Sequence, residues 1–286
     1  MPETGSLSAT RDLLEQYHLF PKRNFGQNFL VDKNILHKIA DSCALTKADY
    51  VVEIGPGLGA LTKELSLRSR GVLSIDIDRS LEPVLISFAD EYKNIKLLFQ
   101  DILKINLETE LNRTFGLDQP VSYQVCANIP YNITTPIIFK LLEECPHMIS
   151  ATLMMQKEVA NRLLASPNNK DYGRLTLTTR YHAIVEQIMT VSKNCFYPRP
   201  EVDSAVVRIT PRREKVELVD EKLFQDFLRA AFQKRRKTIL NVCASFFKLP
   251  KPQIEARLQD IQIAPNLRPE NLSIEDYARL VNAFWS

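Results

Sequence analysis

The stretch that decides the fold is Tyr50-Val-Val-Glu-Ile54, followed at once by Gly55-Pro-Gly-Leu-Gly59. The first five residues are mostly apolar and β-branched, which predicts a buried strand. The glycines predict a tight turn, since glycine tolerates positive φ angles and lets backbone N–H groups approach a ligand closely. Residues 61–67 then show helical spacing of their apolar side chains. The sequence therefore predicts a strand, a glycine turn and a helix in succession.

The same alternation continues downstream of the glycine turn. Strands are predicted at 72–76, 95–100, 122–127 and 151–156, and helices at 81–92 and 136–144. After Gly173 the pattern changes, and the β-rich segments 176–189 and 204–209 supply the last strands, which are candidates for antiparallel pairing. Alternating strands and helices indicate an α/β fold with a mostly parallel sheet covered on both faces.

The C-terminal quarter has a different pattern. Residues 211–219 are charged and weakly patterned, which is typical of a linker. Ser273 and Asp276 form a candidate N-cap pair for a last helix. We expect one domain over 1–210 and a smaller, all-helical domain over 211–286. Short helices of that domain are predicted at 221–232, 237–247, 252–260 and 274–284.

Composition excludes several classes of protein. Hydrophobic residues make up 45% of the chain and charged residues 25%, values that exclude disorder and a fibrous architecture. No apolar run approaches transmembrane length, and the N-terminus lacks the layout of a secretion signal, so we expect a cytoplasmic protein without membrane contact. The cysteines form no Cys-x-x-Cys pair and the histidines have no ligand spacing, so neither disulfides nor a metal site is expected.

The spacing of the glycine turn favours one class of cofactor. From Glu53 it reads Glu-x-Gly-x-Gly-x-Gly, whereas a dinucleotide fingerprint would place its third glycine at position 60, where Ala60 stands. A dinucleotide site presents a helix N-terminus to a pyrophosphate, and S-adenosylmethionine has no phosphate to place there. Gly55 and Gly57 are therefore interpreted as part of a loop beside the amino-acid part and ribose of S-adenosylmethionine. A tight turn without a ligand is the alternative.

Two aspartates stand at the ends of the next two predicted strands. Asp76 ends the second strand, where a carboxylate can accept hydrogen bonds from both ribose hydroxyls. Asp101 follows the third strand, where it could accept from the adenine amino group. A lone aspartate at a strand end more often caps a helix, and we expect this role for Asp78. The combination of both aspartates with the glycine turn favours the cofactor interpretation.

The motif Asn128-Ile-Pro-Tyr131 follows the fourth strand, at the sheet edge where ligands bind in open α/β folds. The chemical interpretation takes the amino group N6 of adenine as the methyl acceptor. The lone pair of N6 is delocalised into the ring, which makes this nitrogen a poor nucleophile. The Asn128 side-chain oxygen and the Ile129 carbonyl could bind the two amino hydrogens and localise that pair. Pro130 fixes φ and removes a competing donor, while the Tyr131 ring could stack on the base. A proline turn with a packed tyrosine is the structural alternative.

Further motifs accompany the glycine turn, Asp101 and the Asn128–Ile133 segment. These are Phe25-Gly-Gln-Asn-Phe-Leu30, Gln156-Lys-Glu158, Tyr172-Gly-Arg174, Phe196-Tyr-Pro-Arg-Pro-Glu-Val-Asp-Ser204 and Phe232-Gln-Lys-Arg-Arg-Lys-Thr238. With them the sequence resembles the 16S rRNA adenine N6,N6-dimethyltransferase family, the KsgA type, over about residues 20–285. The resemblance implies a Rossmann-like S-adenosylmethionine-dependent methyltransferase sheet of seven strands, the last one antiparallel, with an all-helical C-terminal domain. It also implies dimethylation of two adjacent adenines in the helix-45 loop near the 3′ end of 16S rRNA, in the 30S particle during small-subunit biogenesis.

The resemblance assigns further site residues. Asn28 and Leu30 would bind the methionine end of the cofactor, and Gly55, Asp76, Asp101 and Asn128 match the family's other cofactor contacts. Phe196 matches an aromatic residue that faces the target adenine opposite Tyr131, so the two rings would hold a flipped base between them. One departure is visible, because the family often has glutamate at the ribose position, where this chain has the shorter Asp76.

Basic residues are concentrated near the C-terminus. From Pro211 onward there are 14 Lys and Arg against 10 Asp and Glu, within a net charge of +3 for the chain. The predicted RNA-binding residues are Lys22, Arg23, Lys234, Arg235, Arg236 and Lys237. A solvated helix face at 234–237 and an ordinary basic terminus at 22–23 are the alternatives. RNA contact would make binding weaken steeply with salt.

Other functions remain open on the sequence alone. An erythromycin-resistance type methyltransferase acting on 23S rRNA shares the core motifs, although the long C-terminal tail favours the 16S type. A non-catalytic ribosome-assembly or transcription factor is a second alternative, against which the intact Asn128 and Tyr131 argue. DNA adenine methylation is a third, but its motif usually has Pro at the position of Ile129. We expect a monomer, since no unexplained apolar stripe stands out.

Overall fold

The computed structural model describes residues 4–234 and 236–285. Its strands are β1 (Phe29–Leu30), β2 (Tyr50–Ile54), β3 (Gly71–Asp76), β4 (Ile95–Phe99), β5 (Tyr123–Asn128), β6 (Met148–Gln156), β7 (Ala183–Val191), β8 (Phe196–Tyr197) and β9 (Ser204–Pro211). Seven of them form one sheet, in the order β4-β3-β2-β5-β6-β9-β7, and β1 pairs with β8 separately. The pairs β2–β3, β3–β4, β2–β5 and β5–β6 are parallel, and β9 runs antiparallel to β6.

The helices complete the alternating pattern and then continue beyond it. They are α1 (Leu7–Gln16), α2 (Lys33–Ser42), α3 (Ala60–Ser66), α4 (Glu82–Glu91), α5 (Leu107–Phe115), α6 (Thr134–Glu144), α7 (Lys157–Leu164), α8 (Arg174–His182), α9 (Glu221–Gln233), α10 (Ile239–Phe247), α11 (Lys251–Asp260) and α12 (Ile274–Ala283). In the described part of the chain, no helix is both long and apolar enough to cross a membrane.

The central strands are buried, as a parallel sheet requires. Val51, Val72 and Val125 are fully inaccessible to solvent because each lies on a strand with neighbours on both sides. The predicted α/β sheet of seven strands with an antiparallel last strand is therefore confirmed. The antiparallel strand β9 lies between β6 and β7, so it is an inner strand of the sheet.

The chain forms two compact units. The first contains residues up to Ala160 together with 185–211, and the second contains 161–184 and the residues from Arg212 on. Segment 161–184 packs with the C-terminal helices, where the hydroxyl of Tyr172 donates to the carbonyl of Leu272 at 2.8 Å. The expected domains, 1–210 and 211–286, assign this segment to the first domain instead. The assignment of S-adenosylmethionine-dependent methyl transfer to 1–210 and of RNA or ribosome recognition to 211–286 stays a prediction.

The second unit has its own hydrophobic core. Phe224 and Phe227 of α9 and Tyr277 of α12 are fully buried in it. The four predicted C-terminal helices are present, and Ser273 caps the last one. Its hydroxyl accepts from the Asp276 amide at 3.1 Å, while the Asp276 carboxylate accepts from the Ser273 amide at 2.9 Å.

The prediction of a strand from residue 176 was wrong. Residues 174–182 form α8, and the strand begins only at Ala183. Thr176, Thr178 and Thr179 gave the segment a β-rich composition, yet they are buried in the helix. Burial on most faces removes the polar side of the helical pattern, so tertiary packing decided the structure here against local propensity.

Candidate active site

The glycine turn between β2 and α3 has the conformation that its sequence predicts. Gly55, Gly57 and Gly59 have φ values of 72°, 56° and 80°, in the left-handed region that favours glycine. A Cβ atom at Gly59 would lie 2.9 Å from the Phe88 ring, and one at Gly57 would lie 3.1 Å from the Phe29 ring. The turn therefore packs closely against these two rings, and a side chain at either glycine would collide with them.

A cavity of about 320 Å³ lies beside this turn. Its lining includes six predicted cofactor-binding residues, namely Asn28, Gly55, Gly57, Asp76, Asp101 and Asn128. Ile129, Pro130 and Tyr131 also line it. Leu30 instead lines a smaller cavity of about 50 Å³, which shares Phe29, Gly55, Gly57 and Asn128 with the larger one. The structure thus brings most of the predicted site together from the ends of β2, β3, β4 and β5.

The two aspartates differ in their surroundings. The pKa of Asp76 is raised to about 6, chiefly by burial and in smaller part by the negative charge of Asp78, although the hydrogen bond from the Asp78 amide opposes the shift. One Asp76 oxygen accepts from the Asp78 amide at 2.8 Å. Asp101 accepts from the Leu103 amide at 3.0 Å and so caps a helical turn while it lines the cavity. Asp78 caps the turn Arg79–Leu81, as predicted.

Asn128 lies at the end of β5, and its side-chain orientation is fixed. The amide nitrogen donates to the backbone carbonyl of Asn28 at 3.2 Å. The next residue, Ile129, is buried and donates its N–H to the Met154 carbonyl at 3.0 Å. The Pro130 carbonyl accepts from the Ile133 amide at 3.2 Å, which turns the chain into α6. These bonds hold the motif as a rigid turn.

Tyr131 projects from this turn, and its hydroxyl is held from β9. The Tyr131 and Ser204 hydroxyls lie 2.9 Å apart, and Ser204 is fully buried. Burial raises the pKa of Tyr131, although the Ser204 hydroxyl acts in the opposite direction. The phenol is therefore neutral at physiological pH, and its ring has a fixed position at the cavity.

Phe196 lies on β8, where it pairs with Leu30 of β1. Its side chain is 4% exposed and belongs to the hydrophobic core of the first unit. Within residues 4–234 and 236–285, Phe196 is not among those that line either cavity described above. Its role opposite Tyr131 on a target base stays a prediction.

Glu53 lies on β2, two residues before Gly55 of the glycine turn, and the sequence analysis assigned it no role. It is 1% exposed, and one carboxyl oxygen accepts from the hydroxyls of Thr62 and Ser74 at 2.6 and 2.7 Å. Burial raises the pKa of Glu53 to about 7, although these two hydrogen bonds oppose the shift. The signal in the sequence was an acidic residue inside an otherwise apolar strand.

The predicted RNA-binding residues have different surroundings. Lys22 is bound by Asp78, with its ammonium nitrogen 2.6 Å from a carboxylate oxygen, whereas Arg23 is exposed. Lys234 is exposed and donates to the Ser245 hydroxyl at 2.8 Å, and Arg236 and Lys237 are also exposed. The sixth member, Arg235, lies outside the described residues. Contact of this set with RNA stays a prediction.

The model of the ribosomal RNA adenine dimethylase family matches residues 20–285. The chain belongs to this family. A ribosomal RNA small subunit methyltransferase A from Bacillus cytotoxicus is 41% identical over 287 residues, covering 99% of this chain and 98% of that relative. A protein of the same name from a Geobacillus species is 42% identical over 279 residues, covering 96% and 95%. The resemblance and the enzyme class, an rRNA adenine dimethyltransferase, are therefore confirmed.

Solved structures agree with the adenine dimethylase family. A dimethyladenosine transferase from Plasmodium falciparum matches with a TM-score of 0.75 and 27% identity, covering 88% of this chain and 95% of that one. The 23S rRNA methyltransferase ErmE matches with a TM-score of 0.68 and 28% identity, covering 90% and 99%. Both support the methyltransferase fold with its helical C-terminal region.

Proposed function

We propose that this adenine dimethylase dimethylates N6 of two adjacent adenines in the helix-45 loop near the 3′ end of 16S rRNA. The substrate would be the 30S particle or its precursor, and the reaction would form part of small-subunit biogenesis. The observation that carries the chemistry is the fixed Asn128 amide at the cavity edge, with its nitrogen bound to Asn28. Relatives named as small subunit methyltransferases, similar over nearly the whole chain, support the choice of 16S rRNA.

The cavity fits S-adenosylmethionine on features of this chain. Gly55 and Gly57 keep one wall free of side chains, and the Asp76 and Asp101 carboxylates supply acceptors for ribose hydroxyls and the adenine amino group. The smaller cavity, which Leu30 lines, continues from Gly57 and Asn128 and would hold the amino-acid end. When bound, S-adenosylmethionine supplies an electrophilic methyl group on a positively charged sulfur.

The residues of the Asn128–Tyr131 turn would act on the target base. With its nitrogen engaged by Asn28, the Asn128 side chain offers its oxygen to one N6 hydrogen, and the Ile129 carbonyl would accept the other. Acceptors at N6 gain strength as that nitrogen becomes positive, so they stabilise the transition state more than the ground state. Tyr131 would stack on the base, and alignment of N6 replaces the need for a strong general base.

Methyl transfer to defined substrates tests this proposal. The protein is incubated with labelled S-adenosylmethionine and either unmethylated 30S subunits, 50S precursors or duplex DNA. Label in two adjacent adenines of 16S rRNA is expected. Label in 23S rRNA would indicate the erythromycin-resistance type, label in DNA a different enzyme, and binding to 30S without label a non-catalytic factor. The cytoplasmic location and the monomeric state stay predictions.

A further inference from the structure

A short loop forms one wall of the larger cavity, and we call residues 22–28 the roof loop. Asn24, Phe25, Gly26, Gln27 and Asn28 of this loop line the cavity. Asn28 also accepts the hydrogen bond that orients Asn128. The position of the roof loop therefore affects both the cofactor cavity and the catalytic amide.

One carboxylate holds both ends of the roof loop. The Lys22 ammonium donates to Asp78 Oδ1 at 2.6 Å, and the Gln27 side-chain amide donates to Asp78 Oδ2 at 2.8 Å. The backbone N–H of Lys22 donates to Gln27 Oε1 at 2.8 Å, which closes the loop on itself. The side chain of Asp78 is 4% exposed and that of Lys22 is 38% exposed, so the carboxylate is shielded from water while the ammonium is partly solvated. Charge-assisted bonds in such surroundings are stronger than bonds between neutral groups.

Asp78 also contacts Asp76, which lines the same cavity. Its backbone N–H donates to the Asp76 carboxylate at 2.8 Å, two residues earlier in the chain. Burial opposes the charge on Asp78, but the bonds from Lys22, Ser80 and Gln27 outweigh it and hold its pKa below the ordinary value. The Lys22 ammonium lies 5.6 Å from the centre of the Phe25 ring, which lines the cavity. Asp78 thus connects the ribose-binding carboxylate to the roof loop.

We propose that Asp78 is a positioning residue that holds the roof loop over the cofactor cavity by binding Lys22 and Gln27. Lys22 then serves this clamp and not an RNA phosphate. The proposal rests on the proposed function, because it takes the cavity to be the S-adenosylmethionine site. Neither Asp78 nor Lys22 touches the reacting atoms. Their effect reaches the reaction through the roof loop and the Asn28 carbonyl.

Binding of S-adenosylhomocysteine, measured by calorimetry without RNA, tests the clamp. Asp78→Asn and Lys22→Met are each expected to weaken binding about tenfold, which corresponds to roughly 1.4 kcal/mol. The double variant is expected to bind little more weakly than the weaker single variant, because both substitutions break the Lys22–Asp78 ion pair. Lys22→Arg keeps the charge and is expected to restore most of the affinity. Hydrogen exchange of amides in the roof loop is expected to accelerate in Asp78→Asn, without acceleration across the central sheet.

Asp49→Asn is the matched control. Asp49 accepts from the amide and the hydroxyl of Thr46, both at 2.6 Å, and is not among the described residues that line the larger cavity. This variant is expected to bind S-adenosylhomocysteine as the wild type does. Wild-type affinity and unchanged roof-loop exchange in Asp78→Asn would overturn the clamp. The clamp would also be overturned if Lys22→Met lowered the affinity for RNA and left the affinity for S-adenosylhomocysteine unchanged. Failure of the wild-type protein to bind S-adenosylhomocysteine would instead contradict the proposed function.

Discussion

The side-chain amide of Asn128 donates to the backbone carbonyl of Asn28, 3.2 Å away, although 100 residues separate them in the chain. This contact commits the amide nitrogen to the roof loop, and the side-chain oxygen is then the group that accepts from a ligand. Both residues line the larger cavity. A segment near the N-terminus therefore orients the amide that the proposed reaction requires at the end of β5.

Replacement of Asn128 by alanine is expected to abolish methyl transfer while cofactor binding weakens only moderately. The variant loses the acceptor for N6, and loss of one such group typically lowers kcat by about 100-fold or more. Single-turnover transfer to unmethylated 30S subunits measures the chemical step, and calorimetry with S-adenosylhomocysteine measures cofactor affinity. Turnover at the wild-type rate would refute the proposed role of the Asn128 oxygen.

Two substitutions at Tyr131 separate its ring from its hydroxyl. Tyr131→Phe keeps the stacking surface but leaves the buried Ser204 hydroxyl without its partner at 2.9 Å, so stability is expected to fall by about 1 kcal/mol with little change in kcat. Tyr131→Ala removes the ring and is expected to cost about 1 to 3 kcal/mol of base binding, seen in KM for 30S subunits and in kcat. Equal activity losses in the two variants would count against stacking.

Local features of the chain predicted much of the fold and of the cofactor cavity. The predicted strand and the glycine turn together occupy ten consecutive residues. Glycine is the residue type that tolerates positive φ, as Gly55 and Gly57 show in the structure. Asp76 is the last residue of β3 and Asp101 lies two residues after β4, and parallel strands bring their carboxyl ends to one edge of the sheet. For these residues, sequence position and spatial position are tied together by the alternation of strands and helices.

Contacts between distant segments could not be predicted in this way. Lys22 and Asp78 are 56 residues apart, so a basic residue near the start of the chain was assigned to RNA by its charge. The unexpected helix α8 has a β-rich composition, and only its burial explains it. The pairing of β1 with β8 joins Leu30 to Phe196 through two strands of two residues each, too short to show a pattern in sequence.

Cofactor affinity is expected to depend on pH through Asp76. Its pKa is raised to about 6, chiefly by burial, and a protonated carboxyl accepts ribose hydroxyls less well than a carboxylate does. Affinity for S-adenosylhomocysteine should therefore fall about tenfold between pH 8 and pH 5. Asp76→Asn should bind S-adenosylhomocysteine weakly at both pH values and lose most of the pH dependence. The comparison therefore distinguishes titration of Asp76 from titration of the ligand itself. An identical pH profile in the two proteins would exclude Asp76 as the titrating group.

Glu53 is expected to make stability depend on pH in the opposite sense to an ordinary ion-paired carboxylate. Its pKa rises from 4.5 to about 7 in the folded protein, chiefly by burial, so the folded state binds a proton more tightly than the unfolded state. The resulting stabilisation is present below about pH 4.5 and is lost as pH rises through about 7, by about 3 kcal/mol at most. Urea denaturation should show that the free energy of unfolding changes less between pH 5 and pH 8 in Glu53→Gln than in the wild type. The exposed Glu186→Gln variant is the control, and an unchanged difference in Glu53→Gln would contradict the assignment.

The exposed basic run near the end of α9 gives a prediction about RNA affinity. Lys234, Arg236 and Lys237 are all exposed, as contact with phosphates requires. Replacing all three by glutamine is expected to weaken binding to 30S subunits and to reduce the slope of log K against log salt by about 2 to 3, because each lost phosphate contact releases one counterion fewer. Fluorescence anisotropy between about 50 and 200 mM salt measures this slope.

A matched variant in the first unit carries the same change of charge. Lys38, Lys93 and Lys96 are exposed, and their replacement by glutamine removes three positive charges from surfaces to which no RNA role is assigned. This control is expected to lower affinity slightly through net charge and to leave the slope nearly unchanged, since long-range attraction is screened within about 10 Å at 0.1 M salt. Equal slopes in the two triple variants would show that Lys234, Arg236 and Lys237 are merely solvated and that other residues bind the RNA.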